Sequence, residues 1–184
     1  MRYALLFRGL NVGAAHRVAT ADLKSLLDSL GFGGAQIYLQ SGNAVLESDL
    51  AEAELCGRVR EAFLARFGFM SDVTARSARQ MEAVAEGLPF SAEALAAAEA
   101  ADPQAEHLYV YFLDAPPPAG ITETLLRGGE PGDAVATGER ELYLLCRRSV
   151  RLSKTAIGIG RAFPRATARN WKTVDRLRRM LHAG

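Results

Sequence analysis

The sequence has few of the residues that build metal centres and disulfide frameworks. Only 2 cysteines and 3 histidines occur among its 184 residues, and they lack the spacing of a metal site. Cys56 and Cys146 lie in apolar segments, which is typical of small buried side chains and not of a disulfide pair. We therefore expect no metal site and no disulfide.

Long hydrophobic runs are absent as well. No apolar segment has the roughly 20 residues needed to cross a bilayer, and Met1-Arg2-Tyr3 leads into a strand-like segment instead of a signal peptide. The sequence therefore predicts a globular cytoplasmic protein without a membrane partner, and it leaves the oligomeric state open. With 49% hydrophobic residues, the chain is long enough for one ordinary domain or two small ones.

Basic residues are nearly missing from the middle of the chain. Residues 80–139 hold 1 basic and 11 acidic side chains, whereas residues 140–184 hold 12 basic and 2 acidic ones. The net charge of +1 thus conceals two oppositely charged segments. Two interpretations of the basic segment have equal weight. Either it faces a phosphate-bearing partner, or the acidic segment neutralises it within the same chain.

Strand and helix patterns alternate through the first half of the chain. Helical spacing of the apolar residues distinguishes two segments from the strand-like ones, and we expect Thr20 to cap the first helix and Gly68 to end the second. In order, the segments are a strand at 3–8, a helix at 20–30, a hairpin of 35–40 and 44–47, a helix at 51–67 and a strand at 70–76. This β-α-β-β-α-β order is typical of a ferredoxin-like sandwich.

A second, looser cycle follows an Ala- and Glu-rich stretch. It consists of a strand at 107–113, a short helix at 121–126, strands at 134–137 and 141–146, a helical segment after Ser153, and a terminal helix capped by Asn170. Its last strand is poorly signalled. We predict an α+β fold of two tandem ferredoxin-like (split β-α-β) sandwich domains. Residues 1–87 would form the first domain, 88–106 an acidic Ala-rich linker, and 107–184 a second domain with a basic C-terminal helix.

Three motifs hold most of the polar residues next to predicted strand ends. They are Leu5-Leu6-Phe7-Arg8-Gly9-Leu10-Asn11-Val12-Gly13, Tyr38-Leu39-Gln40-Ser41-Gly42-Asn43 and Thr167-Ala168-Arg169-Asn170-Trp171-Lys172-Thr173-Val174, with Ser153-Lys154 as a further step. Their order and spacing resemble the family known as domain of unknown function 1697. The resemblance implies a two-part α+β fold with two ferredoxin-like halves. It implies no established activity, so no catalytic residue is carried over and the question of an enzyme stays open.

The first motif places a glycine-containing loop between a strand and a helix, where phosphate-binding loops often lie. Residues 9–13 have neither the lysine and hydroxyl of a P-loop nor the glycine pattern of a dinucleotide fingerprint. We therefore assign no cofactor, and we interpret Gly9 as an aid to a tight turn. Arg8 and Asn11 are candidate ligand contacts.

The second motif predicts a hairpin turn in which Gly42 and Asn43 accept left-handed backbone. Around it, Gln40, Ser41 and Asn43 would present neutral donors and acceptors beside Arg8. A serine needs a nearby base to become a nucleophile, and the sequence places no histidine to supply one.

The third motif combines an aromatic anchor with two cations. We expect Trp171 to pack against the core. Arg169 and Lys172 would add positive charge near a helix N-terminus, where they have no obvious stabilising effect, so they point to function. If Lys154 and Arg8 converge on the same place, the site would suit a phosphate or a carboxylate.

These observations support three hypotheses, of which we rank a small anionic ligand first. It would carry a phosphate or carboxylate and lie in a cleft between the two domains, with the candidate contacts Arg8, Asn11, Gln40, Ser41, Asn43, Lys154, Arg169 and Asn170. The second hypothesis is nucleic-acid binding through the basic C-terminal region, although the paired aromatics of an RNA-binding strand are missing. The third is a protein–protein interaction module in which the acidic segment of one chain meets the basic segment of another.

Overall fold

The computed structural model describes residues 1–12 and 16–183, which divide into two compact units. The first unit comprises residues 1–83 and 175–184, and the second comprises residues 84–174. The described residues form eight strands and seven α-helices. The strands make two four-stranded antiparallel sheets, one in each unit. The predicted α+β class is therefore confirmed.

The first unit follows the predicted order of strands and helices. Its elements are β1 (Arg2–Phe7), α1 (Thr20–Ser29), β2 (Gly33–Tyr38), β3 (Asn43–Glu47), α2 (Glu52–Phe67), β4 (Val73–Ser77) and α3 (Ala78–Glu86). The helix α3 crosses the boundary between the units at residues 83 and 84. The sheet has the order β2-β3-β1-β4, so β2 and β4 form its edges.

Both faces of this first sheet are buried. Because side chains alternate along a strand, Tyr3, Leu5 and Phe7 of β1 point to the side covered by α1 and α2, where Phe63 is fully buried. On the opposite face of the sheet, the buried residues are Ala4, Leu6, Asn43, Val45, Thr74 and Arg76. The second face is therefore more polar than the first.

The second unit repeats this architecture. Its elements are α4 (Ala92–Ala101), β5 (Leu108–Phe112), α5 (Ile121–Arg127), β6 (Ala134–Thr137), β7 (Glu141–Leu145), α6 (Lys154–Ala162), β8 (Thr167–Asn170) and α7 (Trp171–His182). From Asp175 onward, α7 belongs to the first unit. The sheet order β6-β7-β5-β8 matches that of the first unit, strand for strand.

The last strands of the two sheets carry the same sequence step. Thr74-Ala75-Arg76-Ser77 lies in β4, and Thr167-Ala168-Arg169-Asn170 forms β8. Arg76 is paired with Ala4 of β1, and Arg169 is paired with Val110 at the corresponding place in β5. Each arginine donates from Nη1 to the carbonyl oxygen of the preceding alanine, at 2.9 Å and 2.8 Å. The two units are thus related by an internal repeat.

The structure confirms two of the predicted helix ends, at Gly68 and Asn170, and contradicts the cap expected at Thr20. Ser91 and Asn170 accept hydrogen bonds from Ala94 N and Thr173 N, and Gly68 ends α2 in the left-handed conformation with φ +74°. The expected cap at Thr20 is wrong. Thr20 is already the first residue of α1, and the cap position is occupied by Ala19, which offers no side-chain acceptor.

Residues 88–106, which the sequence suggests as a linker, contain α4 and lie in the second unit. Ala98 of this helix packs with Leu108, Leu145 and Trp171. None of the helices in the described part of the chain combines the length and the apolar character required to cross a bilayer.

Candidate functional site

Asn11 ties the first loop, residues 8–19, to the hairpin turn, residues 39–42. Its side-chain amide donates from Nδ2 to the carbonyl oxygens of Val18, at 3.0 Å, and Gln40. Its Oδ1 accepts from Val18 N at 2.9 Å, and its backbone N–H donates to His16 O at 3.2 Å. One side chain therefore closes the loop and fastens it to the turn.

Backbone contacts bring a third segment to the same end of the sheet. Arg8 N donates to Asp72 O at 2.8 Å, and Ser71 Oγ donates to Arg8 O at 2.9 Å. Phe7 N donates to Gly42 O at 2.8 Å. We call the surface made by residues 8–12, 39–42 and 69–72 the rim. Gly13, the last residue of the first motif, lies outside the described residues.

In the described part of the chain, the non-glycine residues with a left-handed backbone lie in the rim or next to it. Among the described residues, the non-glycine residues with positive φ are Asn11 (+56°), His16 (+57°) and Leu39 (+62°). Asparagine tolerates this conformation, but for leucine it is unfavourable. The sequence analysis placed the left-handed residues of the turn at Gly42 and Asn43. Gly42 has φ +78°, whereas Asn43 begins β3 and Leu39 takes the second left-handed position.

Five of the eight predicted site residues lie at this end of the first unit, in two different roles. Asn43 is fully buried, and its Nδ2 donates to Tyr38 O at 2.9 Å and Ser41 Oγ at 3.1 Å. Asn11 and Asn43 thus shape the loop and the turn. The side chains of Arg8, Gln40 and Ser41 are exposed.

The three remaining candidates lie in the second unit and do not share one face of its sheet. Ala168 packs on the side covered by α6, the helix that Lys154 begins. Since side chains alternate along β8, Arg169 points to the opposite face. Asn170 is engaged in capping α7 through Thr173 N, at 3.0 Å. Within this unit, Arg169 thus lies on the face of β8 opposite to Ala168, and a common site for the three residues stays a prediction.

The N-terminus of α6, where Lys154 lies, already has an anion beside it. Ser153 Oγ accepts from Ala156 N at 2.9 Å and donates to Asp133 Oδ2 at 2.6 Å, and Asp133 Oδ1 accepts from Arg147 N at 3.0 Å. Ser153 Oγ thus satisfies one N–H donor of α6, and the Asp133 carboxylate bonded to it adds negative charge beside this helix N-terminus. This helix end therefore offers little to an external anion.

Arg169 and Trp171 have different surroundings from those that the third motif suggested. Arg169 lies on β8 and not in the first turn of α7, so the expected conflict with the helix dipole does not arise. Burial lowers the pKa of its guanidinium to about 10. Trp171 is half-buried and packs with Leu108 and Leu145, which confirms its predicted role as an anchor.

Several ion pairs join the basic segment to the acidic one within the chain. In the second unit, Lys172 Nζ lies 2.6 Å from Glu106 Oε1, and Arg165 Nη2 lies 3.4 Å from Asp114 Oδ2. In the first unit, Arg178 Nη1 lies 3.1 Å from Glu82 Oε1. Neutralisation in cis, one of the two interpretations offered by the sequence, is thus present. The same pairs use acidic residues that the interaction-module hypothesis assigns to another chain.

Arg76 is a buried charged residue that the sequence analysis missed. It is 1% exposed, and its Nη1 lies 3.6 Å from Glu52 Oε1. The signal that could have found it is the Thr-Ala-Arg step shared with residues 167–169. Short repeats of this kind are visible in the sequence once both strands are aligned.

The three histidines have separate surroundings. His16 stacks on Phe69 with ring centroids 4.4 Å apart, and His182 Nε2 lies 3.0 Å from Glu82 Oε2. His107 bonds the carbonyl oxygens of Cys146 and Asp102 through its two ring nitrogens, at 2.7 Å and 2.9 Å. Within residues 1–12 and 16–183, His, Cys, Asp and Glu form no group of three or more suited to a metal ion.

Two clefts of the first unit lie away from the rim. One, of about 390 Å³, is lined by Phe32, Glu47 and Arg58 among others, and the second, of about 530 Å³, lies beside Glu82 and His182. Neither is lined by any of the eight predicted site residues. These two clefts are therefore separate from the rim.

The first two motifs lie within a match to a known family. Residues 1–143 match the model of the family described as "Protein of unknown function (DUF1697)". The chain belongs to this family. The match confirms the resemblance drawn from the sequence, and the third motif lies beyond the matched residues of the DUF1697 model.

A solved structure shares the fold. A conserved bacterial protein from Streptococcus pneumoniae is 22% identical, with a TM-score of 0.74 over 98% of each chain. At this identity the similarity concerns the fold alone. A comparison with curated proteins finds no match. The DUF1697 family therefore supplies a fold, and a function has to be argued from the chain's own residues.

Proposed function

We propose that the protein binds a small molecule carrying a phosphate or a carboxylate, at the rim of the first unit. The observation that carries this proposal is the double attachment made by Asn11. By fastening the first loop to Gln40 O, it holds the exposed side chains of Arg8, Gln40 and Ser41 at the same sheet end.

The chemistry of these three side chains suits an anion. A guanidinium donates several charge-assisted hydrogen bonds to phosphate or carboxylate oxygens, and an amide and a hydroxyl add neutral donors. Arg8 leaves the end of β1, and its backbone is fixed on both sides by Asp72 O and Ser71 Oγ. Such fixation reduces the entropy that a ligand contact would otherwise cost.

The fold provides the frame for this site. We propose that each unit is a ferredoxin-like domain, so that the protein consists of two such domains in tandem. The β-α-β-β-α-β order and the identical sheet orders of the two units support this assignment. The two free, buried cysteines are in keeping with a reducing compartment such as the cytoplasm.

A titration of the isotope-labelled full chain with inorganic phosphate and with acetate tests the anion site. We expect saturable amide shifts at residues 8–12, 39–42 and 69–72, with affinity on the order of millimolar because phosphate and acetate are too small to make many contacts. Arg8→Gln should weaken binding by about tenfold or more, because it removes a charge-assisted hydrogen bond.

The matched control is Arg79→Gln. Arg79 is also exposed, but it follows the end of β4 at which Ser77 pairs with Tyr3, whereas Arg8 lies beyond the opposite end, at which Val73 pairs with Phe7. This variant should bind like the original protein. Equal losses in both variants, or no saturable shift with either anion, would overturn the proposal.

The same samples discriminate nucleic-acid binding. An oligonucleotide that contacted about six phosphates would show affinity falling steeply with salt, with a log–log slope near −5. Such binding, retained in Arg8→Gln and lost when the basic residues 147–154 are neutralised, would favour the nucleic-acid hypothesis over the anion site.

A further inference from the structure

Besides the charged residues Arg8 and Asp72, the rim has exposed apolar side chains. Large hydrophobic side chains that are strongly exposed include Val12, Leu39 and Met70, at 72%, 50% and 75%. They come from three separate segments of the chain, yet each segment forms part of the rim. Apolar residues scattered singly over a surface are ordinary, whereas a group of them marks a binding surface.

Hydrogen bonds join the three segments that carry these side chains at the sheet end where Arg8 lies. Val12 adjoins Asn11, and Leu39 adjoins Gln40, whose carbonyl oxygen accepts from Asn11 Nδ2. Met70 precedes Ser71, whose hydroxyl donates to Arg8 O. The neighbouring Phe69 stacks on His16, which accepts from Asn11 N through its carbonyl oxygen. The segments that carry the cation and the three apolar side chains are thus joined at one end of the sheet.

Leu39 is held there against its own preference. At φ +62°, a glycine or an asparagine would be less strained, and either would expose less apolar surface. The Leu39 backbone is fixed by the strand β2 before it and by the bond to Gln40 O after it. Strain of this kind at an exposed residue is typical of functional surfaces.

We infer that the ligand of the rim is an organic anion with an apolar group of several carbon atoms next to its phosphate or carboxylate. This inference rests on the anion site proposed above. Arg8 would bind the anionic group, and Val12, Leu39 and Met70 would cover the apolar group. Inorganic phosphate or acetate would then fill only the charged part of the site.

The test is a series of alkyl phosphates, from methyl to butyl to hexyl, with acetate and hexanoate to distinguish the two anionic groups. We expect affinity for the full chain to rise about two- to fourfold for each added methylene that is covered. Leu39→Asn, which tolerates the left-handed backbone, should flatten this dependence on chain length, and Met70→Gln should do so as a second variant. Leu126→Asn, on the exposed side of α5, is the control and should leave the dependence unchanged.

The two proposals fail in different ways. Equal binding of methyl and hexyl phosphate, still dependent on Arg8, would refute the apolar contact and leave the anion site standing. A chain-length effect that survives both Leu39→Asn and Met70→Gln would also refute it. Absence of binding by every compound would overturn both proposals. Leu39-dependent binding to vesicles of anionic phospholipid, without preference among the soluble compounds, would replace the small ligand by a membrane surface.

Discussion

The two units have the same order of strands in their sheets but differ in the conformation of their loops. In the first unit, the connection after the first strand runs through residues 8–19, and the described part of it includes left-handed Asn11 and His16. In the second unit, the same connection contains Pro116-Pro117-Pro118, and among its described residues only glycines have positive φ. One copy of the repeat has thus kept regular loops, while strain and polar groups are concentrated in the other.

The hairpin turns differ in the same way. The second unit closes its turn with a local bond from Arg140 N to Glu141 Oε2, at 3.0 Å. The first unit uses Asn43, which bonds two residues of its turn, and Asn11, which belongs to a different segment of the chain. Because Asn11 of the first loop bonds Gln40 O of the turn, the side chains of the turn are held in a fixed position relative to the first loop. Contacts between separate loop segments thus distinguish the first unit, in which the proposed anion site lies.

The largest expected effect separates the units by their aromatic residues. The second unit buries Tyr111 and Tyr143, whereas the first buries Tyr3 together with Phe7 and Phe63. Burial raises the pKa of Tyr143 from 10.0 to about 12, and it raises the pKa of Tyr111 as well. A phenol whose pKa is raised by folding stabilises the folded state fully below about pH 10 and loses that contribution as the pH rises. We therefore expect the second unit to unfold in alkali.

Trp171, the only tryptophan, reports on this unfolding because it packs within the second unit. Tyr111→Phe should move the transition of its fluorescence to higher pH. The control Tyr3→Phe, in the first unit, should move it less. An alkaline transition that is unaffected by Tyr111→Phe would show that ionisation of this phenol is not its cause.

The next effect tests the close approach of the first loop to the turn. A Cβ at Gly42 would lie 2.8 Å from both Leu10 Cδ1 and Phe7 Cβ, and the backbone has φ +78°. Gly42→Ala should therefore lower the free energy of unfolding in urea by about 2–4 kcal/mol, from overpacking and strain together.

Gly34→Ala is the matched control, since Gly34 has φ +63° but open space around its Cα. Gly34→Ala should lower the free energy of unfolding by only about 1 kcal/mol, because it adds backbone strain without a close contact. If the two substitutions lowered the free energy of unfolding equally, the close approach of Gly42 to Leu10 and Phe7 would not affect stability.

A smaller effect is expected from Asn11→Gly, which keeps the left-handed backbone and removes the side chain. Three hydrogen bonds are lost, and we expect a loss of about 1–2 kcal/mol because the freed groups regain water. The direct readout is hydrogen exchange at Val18 N, the donor to Asn11 Oδ1, which should become faster. Asn170→Gly, which removes a cap in the second unit, should leave the exchange of Val18 unchanged.

The smallest effect has the opposite sign. Leu39→Gly should raise the free energy of unfolding by about 1 kcal/mol, because glycine adopts φ +62° without strain. Urea denaturation measures it. A loss of stability would show that the exposed leucine contributes packing that outweighs its backbone strain.

Much of the fold was accessible from the sequence because periodicity and glycines mark the elements directly. The strands β1, β3, β6 and β7 are apolar runs of ordinary length, and Gly68 ends α2 as predicted. The strand β8 was missed because Thr167-Ala168-Arg169-Asn170 has only two buried or apolar positions, and its strand character comes from pairing with β5. Tertiary pairing of this kind leaves no local pattern.

The candidate site was accessible only in part, for a related reason. Polar residues next to strand ends identified Arg8, Gln40 and Ser41. Nothing in the sequence distinguishes these exposed side chains from Asn11 and Asn43, whose amides are used inside the structure. The location of Leu39 in the left-handed region was also hidden, since leucine is a residue that this conformation disfavours.

The side chain of Asn11 bonds the first loop and the hairpin turn at the same time. A single amide bonds both Val18 and Gln40 O, so the loop and the turn share one point of attachment. A rotation about the Cα–Cβ bond of one residue releases both at once. This single torsion angle therefore couples the first loop to the turn, whereas Phe7 N and the Asn43 side chain hold the turn independently of it.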